Sequence, residues 1–222
     1  MKASLLQLRS KNLVPILVFY YLVGLTGIMV PATRGLFIRF TPFSLLMSIF
    51  LLFLFHDRYK LRFWLTSLLI FSIGFLVEAV GVKTGILFGA YQYGETLGLK
   101  LMHTPLLIGV NWLMLIYCTT YIAGKYVEPL YFRSIVAASL MVVYDFALEP
   151  AAIRLDMWSW EGGAVPLQNY LAWFMISFGL SYLAGRLHLV ARQNKLAVPL
   201  FFIQMLFFIV LDLWIVVGVL WD

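Results

Sequence analysis

The sequence predicts an all-α integral membrane protein, a single domain over residues 1–222 built as a polytopic bundle of about seven transmembrane helices. Three observations predict this fold. The chain is 63% hydrophobic and only 12% charged, too apolar to cover the surface of a soluble domain of this size. It contains seven apolar segments long enough to cross about 30 Å of hydrocarbon. Its basic residues concentrate in alternate loops, as they do around membrane spans.

The seven apolar segments follow one another along the chain. The first has a basic flank like that of a signal peptide, but its apolar stretch is long and "VPATRG" is a poor cleavage site, so we expect an uncleaved helix. The single cysteine, Cys118, excludes a disulfide within the chain. The segments cover residues 13–31, 36–55, 61–81, 104–124, 132–149, 167–187 and 199–220.

The loops alternate in charge. Of the 16 basic residues, 11 lie at the N-terminus or after segments two, four and six, which predicts a cytoplasmic N-terminus and a multi-pass protein of the plasma (inner) membrane. The net charge of +6 is spread between apolar spans rather than gathered in one patch, so the lipid bilayer and not nucleic acid is the expected partner. The 11 residues are Lys2, Arg9, Lys11, Arg58, Lys60, Arg62, Lys125, Arg133, Arg186, Arg192 and Lys195.

Four acids lie within or at the ends of these apolar segments, all in the outer half of the predicted membrane: Glu78, Asp145, Glu149 and Asp212. A charged acid at the centre of a membrane helix costs about 2.5–3.5 kcal/mol, so such residues usually face a bundle interior and mark function. Interhelical hydrogen bonding is the structural alternative. Asp145 and Glu149 are four residues apart, which puts both on one face of a helix.

Two long loops on the same side, residues 81–105 and 150–166, carry the elements Tyr91-x-Tyr93 and Trp158-x-Trp160. Each follows a glutamate and precedes a proline, and a tryptophan lies seven residues after that proline. An asparagine stands near the start of each following segment. The pattern predicts a parallel repeat of two hairpins with the two glutamates in one site. The matched residues are Glu78 and Glu149, Pro105 and Pro166, Trp112 and Trp173, and Asn111 and Asn169.

Several other classes of membrane protein conflict with the residues. The last segment has no lysine that would form a retinal Schiff base, and the acids are too scattered for the aspartate-rich magnesium motifs of a prenyltransferase. A zinc site needs clustered ligands, whereas His56, His103 and His188 lie in three separate loops, so we expect no metal and a solvated position for His56 and His188. A proton-coupled transporter remains open, because buried acids serve that role too.

The two loops and the segments beside them resemble the CruF-type carotenoid 1,2-hydratases, a family of small polytopic membrane proteins of carotenoid biosynthesis. The resemblance covers roughly residues 71–185, about half of the chain. It rests on "GVKTGILFGAYQYGETLG", "TPLLIGVNW", "DFALEPAA", "WSW" and "VPLQNYLAW". The "HTP" at His103 to Pro105 departs from the family pattern, so His103 is given no role.

The resemblance implies addition of water to the terminal C1=C2 double bond of an acyclic carotenoid end of lycopene or γ-carotene type, giving a tertiary alcohol, with no cofactor. Other carotenoid-pathway enzymes are the expected protein partners. An apolar site keeps a carboxyl group neutral, and a second carboxyl group beside it strengthens this effect, which suits a proton donor. We expect Asp145 or Glu149 to donate the proton and Glu78 to assist. The candidates for holding the substrate, its cation and the water are Tyr91, Tyr93, Asn111, Trp112, Tyr144, Trp158, Trp160, Asn169 and Asp212.

Two further functions remain compatible with the residues. A membrane-type lycopene cyclase or another carotenoid end-group enzyme also begins by protonating a terminal alkene, so the acids alone do not separate it from a hydratase. A transporter or carotenoid-binding protein would use the same acids without any chemical conversion.

Overall fold

The computed structural model describes residues 2–190 and 193–218, and of residues 2–12 only the helical backbone. The end of the predicted seventh span, residues 219–220, and Arg192 lie outside this part. The described chain is a bundle of eight helices with four very short strands. In chain order these are α1 Lys2–Met29, α2 Pro31–Arg39, α3 Thr41–Leu54, α4 Leu61–Thr84, β1 Tyr91–Tyr93, β2 Lys100–Leu101, β3 Thr104–Pro105, α5 Leu106–Tyr126, α6 Leu130–Arg154, β4 Trp158–Trp160, α7 Leu167–Arg186 and α8 Ala197–Val216.

The all-α prediction is confirmed, whereas the count of seven spans is not. Within the described residues, α4, α5, α6 and α8 are long and apolar enough to cross a membrane. The second predicted span is broken at Phe40 into α2 and α3, which meet at 54° and make a fifth span if taken together. The part of α1 with described side chains, Leu13–Met29, is apolar but shorter than these four helices, and α7 is not among the helices that qualify.

The third and fifth spans were predicted to end too early in the sequence. Helix α4 continues three residues beyond the predicted end at 81, and α6 continues from 149 to Arg154 with Pro150 inside it. Proline has no backbone N–H to donate, but a membrane helix tolerates proline because groups on neighbouring helices can satisfy the freed carbonyl oxygen. Glu78 and Glu149 therefore lie within helices, where the backbone fixes the direction of their side chains.

Helix α5 forms the centre of the bundle, and every residue from Trp112 to Ala123 is buried. It packs against α3, α4, α6, α7 and α8, while α1 lies against α2 and α8. Pro105 and Pro166 stand at the N-caps of α5 and α7 in extended conformation, where proline's fixed φ suits a helix start. Two hairpin units, residues 61–126 and residues 130–186, thus pack against each other, and α1, α2, α3 and α8 complete the bundle.

The predicted solvated position of His56 is wrong. Its side chain is buried, with Nδ1 2.9 Å from the Tyr117 hydroxyl and Nε2 3.0 Å from the Arg58 carbonyl oxygen. The ring also stacks on Phe63 at 4.0 Å. Asn194 donates a hydrogen bond to the same Tyr117 hydroxyl, so these polar side chains tie two connecting segments to the central helix. Burial of the imidazole lowers the pKa of His56, which keeps this packing neutral.

Candidate active site

The two aromatic-x-aromatic elements form one antiparallel strand pair across the end of the bundle. Tyr91 lies opposite Trp160, Gln92 opposite Ser159, and Tyr93 opposite Trp158. Alternation along a strand directs Gln92 and Ser159 outward and the four aromatic residues inward. The Tyr91 and Trp160 ring centres are 5.0 Å apart, and those of Tyr93 and Trp158 are 6.1 Å apart. This strand pair covers the C-terminal ends of α4 and α6.

Glu78 on α4 accepts three hydrogen bonds beneath this cover. The hydroxyl groups of Tyr91 and Tyr93 donate to its Oε2 at 2.5 and 2.7 Å. The indole Nε1 of Trp112, from α5, donates to its Oε1 at 2.9 Å. The side chain is buried, so both carboxyl oxygens are held by the protein and neither depends on bulk water.

Burial and the neighbouring carboxyl group of Glu78 raise the pKa of both Tyr91 and Tyr93. The two phenols lie outside the helices, in the strand cover, and remain O–H donors toward Glu78 across the physiological pH range.

Glu149 on α6 has an analogous arrangement in the second hairpin unit. The Nε1 atoms of Trp158 and Trp160 both donate to its Oε2 at 2.9 Å. Its Oε1 lies 3.5 Å from Nδ2 of Asn169, a long and weak contact. Two indoles thus hold one oxygen of this carboxyl group, and the other is nearly free.

Asp145 is the least satisfied of the three acids. It lies one turn before Glu149 on α6 and is fully buried. Nδ2 of Asn169 donates to its Oδ2 at 2.7 Å, so one amide group touches both acids of α6. Its Oδ1 has no hydrogen-bond partner among the described residues. A buried carboxyl oxygen without a partner is costly in a folded protein, so this oxygen is available to a hydrogen-bond donor in the cavity.

The indoles of Trp112 and Trp173 connect the two hairpin units. Each lies seven residues after the proline that begins its helix, and the rings stack at 4.5 Å with 26° between their planes. The antiparallel strand pair and this stack bring matched positions of the two units face to face. This packing closes one small site between them.

The side chains enclose a cavity of about 20 Å³, which is enough for one water molecule. No basic residue lines this cavity. Its wall is formed by Glu78, Phe88, Tyr91, Tyr93, Ile108, Asn111, Trp112, Asp145, Glu149, Trp158, Trp160, Asn169 and Trp173. Within the described part of the chain, no group of three His, Cys, Asp or Glu side chains is arranged to hold a metal ion.

A larger apolar groove of about 290 Å³ adjoins the acid cavity. It runs between α1, the broken pair α2–α3, α5, α6 and α8. Ile108, Asn111 and Trp158 line both spaces, so they form the junction. The rest of the groove wall is mainly aliphatic and aromatic, and Tyr144 belongs to it. The arrangement suits a long lipophilic molecule in the groove with one end at the carboxyl groups.

The structure brings together most of the residues predicted from sequence. The three acids line the small cavity with every other candidate except two: Tyr144 lines only the groove, and Asp212 on α8 lines neither space. Sequence reasoning missed Phe88 and Ile108 as lining residues, and it missed the groove residues of α1 and α8. Trp173 stood out in the repeat pattern, which was the available signal for including it in the site.

Comparison with known proteins identifies the family. The sequence model of a family described as carotenoid biosynthesis protein matches residues 39–221. The chain belongs to this family. The match extends well beyond the resemblance found from the motifs, to the α3 and α8 helices that line the groove.

A relative from Haloarcula japonica carries the name bisanhydrobacterioruberin hydratase. It is 26% identical over an alignment of 190 positions that covers 75% of this chain. The alignment covers 62% of the relative, so the chain spans less than two thirds of that protein's length. No solved structure matches the chain.

Proposed function

We propose that this membrane protein of carotenoid biosynthesis adds water to the terminal C1=C2 double bond of an acyclic carotenoid end. One observation carries the proposal: three buried carboxyl groups line a cavity of about 20 Å³, which shares wall residues with an apolar groove of about 290 Å³. An isolated alkene is a weak base, so its hydration needs a strong acid in a water-poor site together with a place for one water. The hydratase name of the Haloarcula japonica relative agrees with this chemistry.

The polyene chain would lie in the groove, with its terminal alkene at the junction formed by Ile108, Asn111 and Trp158. The groove offers no ionic partner and mainly apolar walls, which favours a hydrocarbon over a charged lipid. Tyr144 lies in the groove wall and packs against Phe201 and Phe208. It would contact the polyene away from the reacting end.

Asp145 is the proton donor in this mechanism. Its single hydrogen bond comes from a neutral amide, and Glu149 lies one turn away on the same helix. Burial without a cation favours the neutral carboxyl group, which keeps the proton available. Glu78 and Glu149 differ from Asp145 in their hydrogen bonds. Three donors contact Glu78 and two donors contact Glu149, so both carboxyl groups act as hydrogen-bond acceptors.

The reaction has two steps, protonation of the alkene and then addition of water to the resulting cation. The Asp145 proton bonds to C2, the C1=C2 π bond breaks, and a tertiary cation forms at C1. The carboxylates and the faces of Trp158 and Tyr93 stabilise this charge. A water held in the cavity beside Asn111 bonds to C1 through oxygen, and one of its protons passes to Glu78 or Glu149 and returns to Asp145. One water is consumed, and no electron transfer is required.

Pigment analysis in carotenoid-producing cells tests the proposal. Cells that make lycopene, and a second strain that makes γ-carotene, would express the wild-type chain or Asp145→Asn. We expect pigments heavier by one water with the wild type only. An isomeric, unhydrated product would instead identify a cyclase. Unchanged pigments in both strains, with well-expressed protein, would contradict hydration of these ends and favour a transporter or carotenoid-binding protein.

A further inference from the structure

A polar cleft lies on the outer side of the strand pair, opposite the acid cavity. It has a volume of about 470 Å³ and is lined by exposed polar side chains, among them Lys83, Gln92, Ser159 and Glu161. The cleft lies at the C-terminal end of α4, and Gly85, in left-handed conformation at φ 66°, ends that helix and turns the chain along its wall. Water therefore has access to this face of the cover.

One cross-strand pair separates the cleft from the acid cavity. Tyr91 and Trp160 line both spaces, and they are the only residues that do so in the described structure. Their rings pack at 5.0 Å, so the partition is one layer of side chains thick. The groove approaches the cavity from a different side, through Ile108, Asn111 and Trp158. The acid cavity thus has an apolar groove on one side and a polar cleft on another.

Tyr91 and Trp160 differ in whether their side chains can relay a proton. A phenol hydroxyl both donates and accepts a hydrogen bond, so Tyr91 can give a proton to Glu78 and take another from water. An indole N–H only donates, so Trp160 cannot relay a proton to Glu149. Tyr93 also donates to Oε2 of Glu78, but it does not line the cleft. Among the described residues, Tyr91 is therefore the one hydroxyl-bearing residue that lines the cleft and donates a hydrogen bond to an acid of the site.

We propose that the cleft is the water entrance of the site, with Tyr91 as its gate and as the group that exchanges protons between cleft water and Glu78. This inference rests on the proposed hydration, which consumes one water in each turnover that the apolar groove is poorly suited to supply. Each exchange is balanced, because the Tyr91 hydroxyl gives its proton to Glu78 as it accepts one from water, or the reverse. Tyr91 acts through Glu78 and is a positioning residue.

The first test compares Tyr91→Phe with Tyr93→Phe. Both changes remove a hydroxyl donor from the same carboxyl oxygen, and neither residue lines the groove. We expect Tyr91→Phe to lower kcat by about tenfold or more, within the range of a proton-transfer contribution, with KM for the carotenoid unchanged. Tyr93→Phe should cost at least about fivefold less. Equal losses of kcat in the two variants would overturn the role of Tyr91.

The second test blocks the cleft. Ser159→Cys places a thiol at the exposed centre of β4, and Glu95→Cys places one on an exposed neighbouring loop outside the cleft. The native Cys118 is buried and gives little background. Reaction with a bulky, water-soluble thiol reagent should lower turnover several-fold in Ser159→Cys and leave Glu95→Cys unchanged. Full turnover in labelled Ser159→Cys would overturn the entrance.

A readout without turnover keeps the entrance testable if the proposed hydration is wrong. Trp112 lines the acid cavity but not the cleft, and its side chain is fully buried. Hydroxyl-radical footprinting should oxidise Trp112 through cavity water, and the label at Ser159→Cys should reduce this oxidation. The label at Glu95→Cys should not. Protected Trp112 without any hydrated pigment would refute the hydratase and retain the water entrance, whereas unchanged oxidation would refute the entrance itself.

Discussion

The two hairpin units carry the same framework and differ in its polar groups. Each presents a glutamate to a pair of aromatic donors, but Glu78 receives two phenols and an indole, whereas Glu149 receives two indoles. Only the second unit adds Asp145, and at the matching position, four residues before Glu78, the first unit has Gly74. The comparison suggests a division of labour in which the first unit exchanges protons with water and the second carries the donor.

The largest loss of activity is expected on substitution of Asp145, the donor in the second unit. We expect Asp145→Asn to lower hydration by about a thousandfold, because the amide has no acidic proton to give and general acid catalysis typically contributes 10²–10⁴-fold. Asp212→Asn is the matched control, since Asp212 lines neither cavity. It should lose less than about threefold, as measured by hydrated pigment per unit of protein. Comparable losses in both variants would contradict the assignment of the donor.

The second prediction compares the two glutamates as structural acceptors. In Glu78→Gln an amide NH₂ must face either the Trp112 indole or the two tyrosine hydroxyls, since both oxygens of Glu78 accept hydrogen bonds. We expect a loss of about 3 kcal/mol in the free energy of unfolding from the resulting unpaired donor. Glu149→Gln avoids this conflict, because its Oε1 has only the 3.5 Å contact with Asn169.

Thermal unfolding of both glutamine variants in the same detergent would measure this difference. A lower melting temperature for Glu149→Gln than for Glu78→Gln would show that the hydrogen bonds described at the two acids do not set their stability.

The third prediction concerns the glycine that replaces the aspartate in the first unit. A Cβ at Gly74 would lie 2.5 Å from Cβ of Trp112, so Gly74→Ala must displace the tryptophan that holds Glu78. We expect a loss of about 2 kcal/mol in the free energy of unfolding, as for other overpacked cores. Gly179→Ala on α7 is the control, because nothing lies within 4 Å of its added carbon. A stable Gly74→Ala variant would argue against this tight packing.

The smallest expected difference lies in the central indole stack. Trp112→Phe and Trp173→Phe each shorten one ring of the 4.5 Å stack, but only Trp112 donates a hydrogen bond to a glutamate among the described contacts. Trp112→Phe should therefore be the less stable variant by about 1 kcal/mol. Denaturation of the two variants side by side gives the difference, and equal stabilities would assign the role of Trp112 to stacking alone.

Much of the site was predictable from local chemistry. Carboxyl groups in apolar helices are costly, so Glu78, Asp145 and Glu149 stood out without any coordinates. The matching spacings of glutamate, aromatic pair, proline and tryptophan indicated that the two units share one site. The break of the second span at Phe40 was less accessible, because hydropathy averages over a window and does not report a 54° bend.

The burial of His56 was not predictable either. A histidine beside several charged residues resembles a solvated loop position, and its hydrogen bond to Tyr117 of α5 forms only once the helices have packed. Asp212 lines neither the acid cavity nor the groove, and its role in the site stays a prediction. Position along a helix gives depth in the membrane, but the direction of the side chain depends on how α8 packs against its neighbours.

The membrane environment, the helical class, the family motifs and the acids of the candidate site could all be predicted from the sequence. These follow from composition and from spacing along the chain, which are local properties. Only the packed helices show that the Tyr91 and Trp160 strands pair, that Asp145 has an oxygen without a partner, and that a groove and a cleft each share wall residues with the acid cavity. Those features depend on contacts between residues far apart in the sequence, such as Tyr21 of α1 and Phe207 of α8 in the groove wall, and such contacts exist only once the helices have packed.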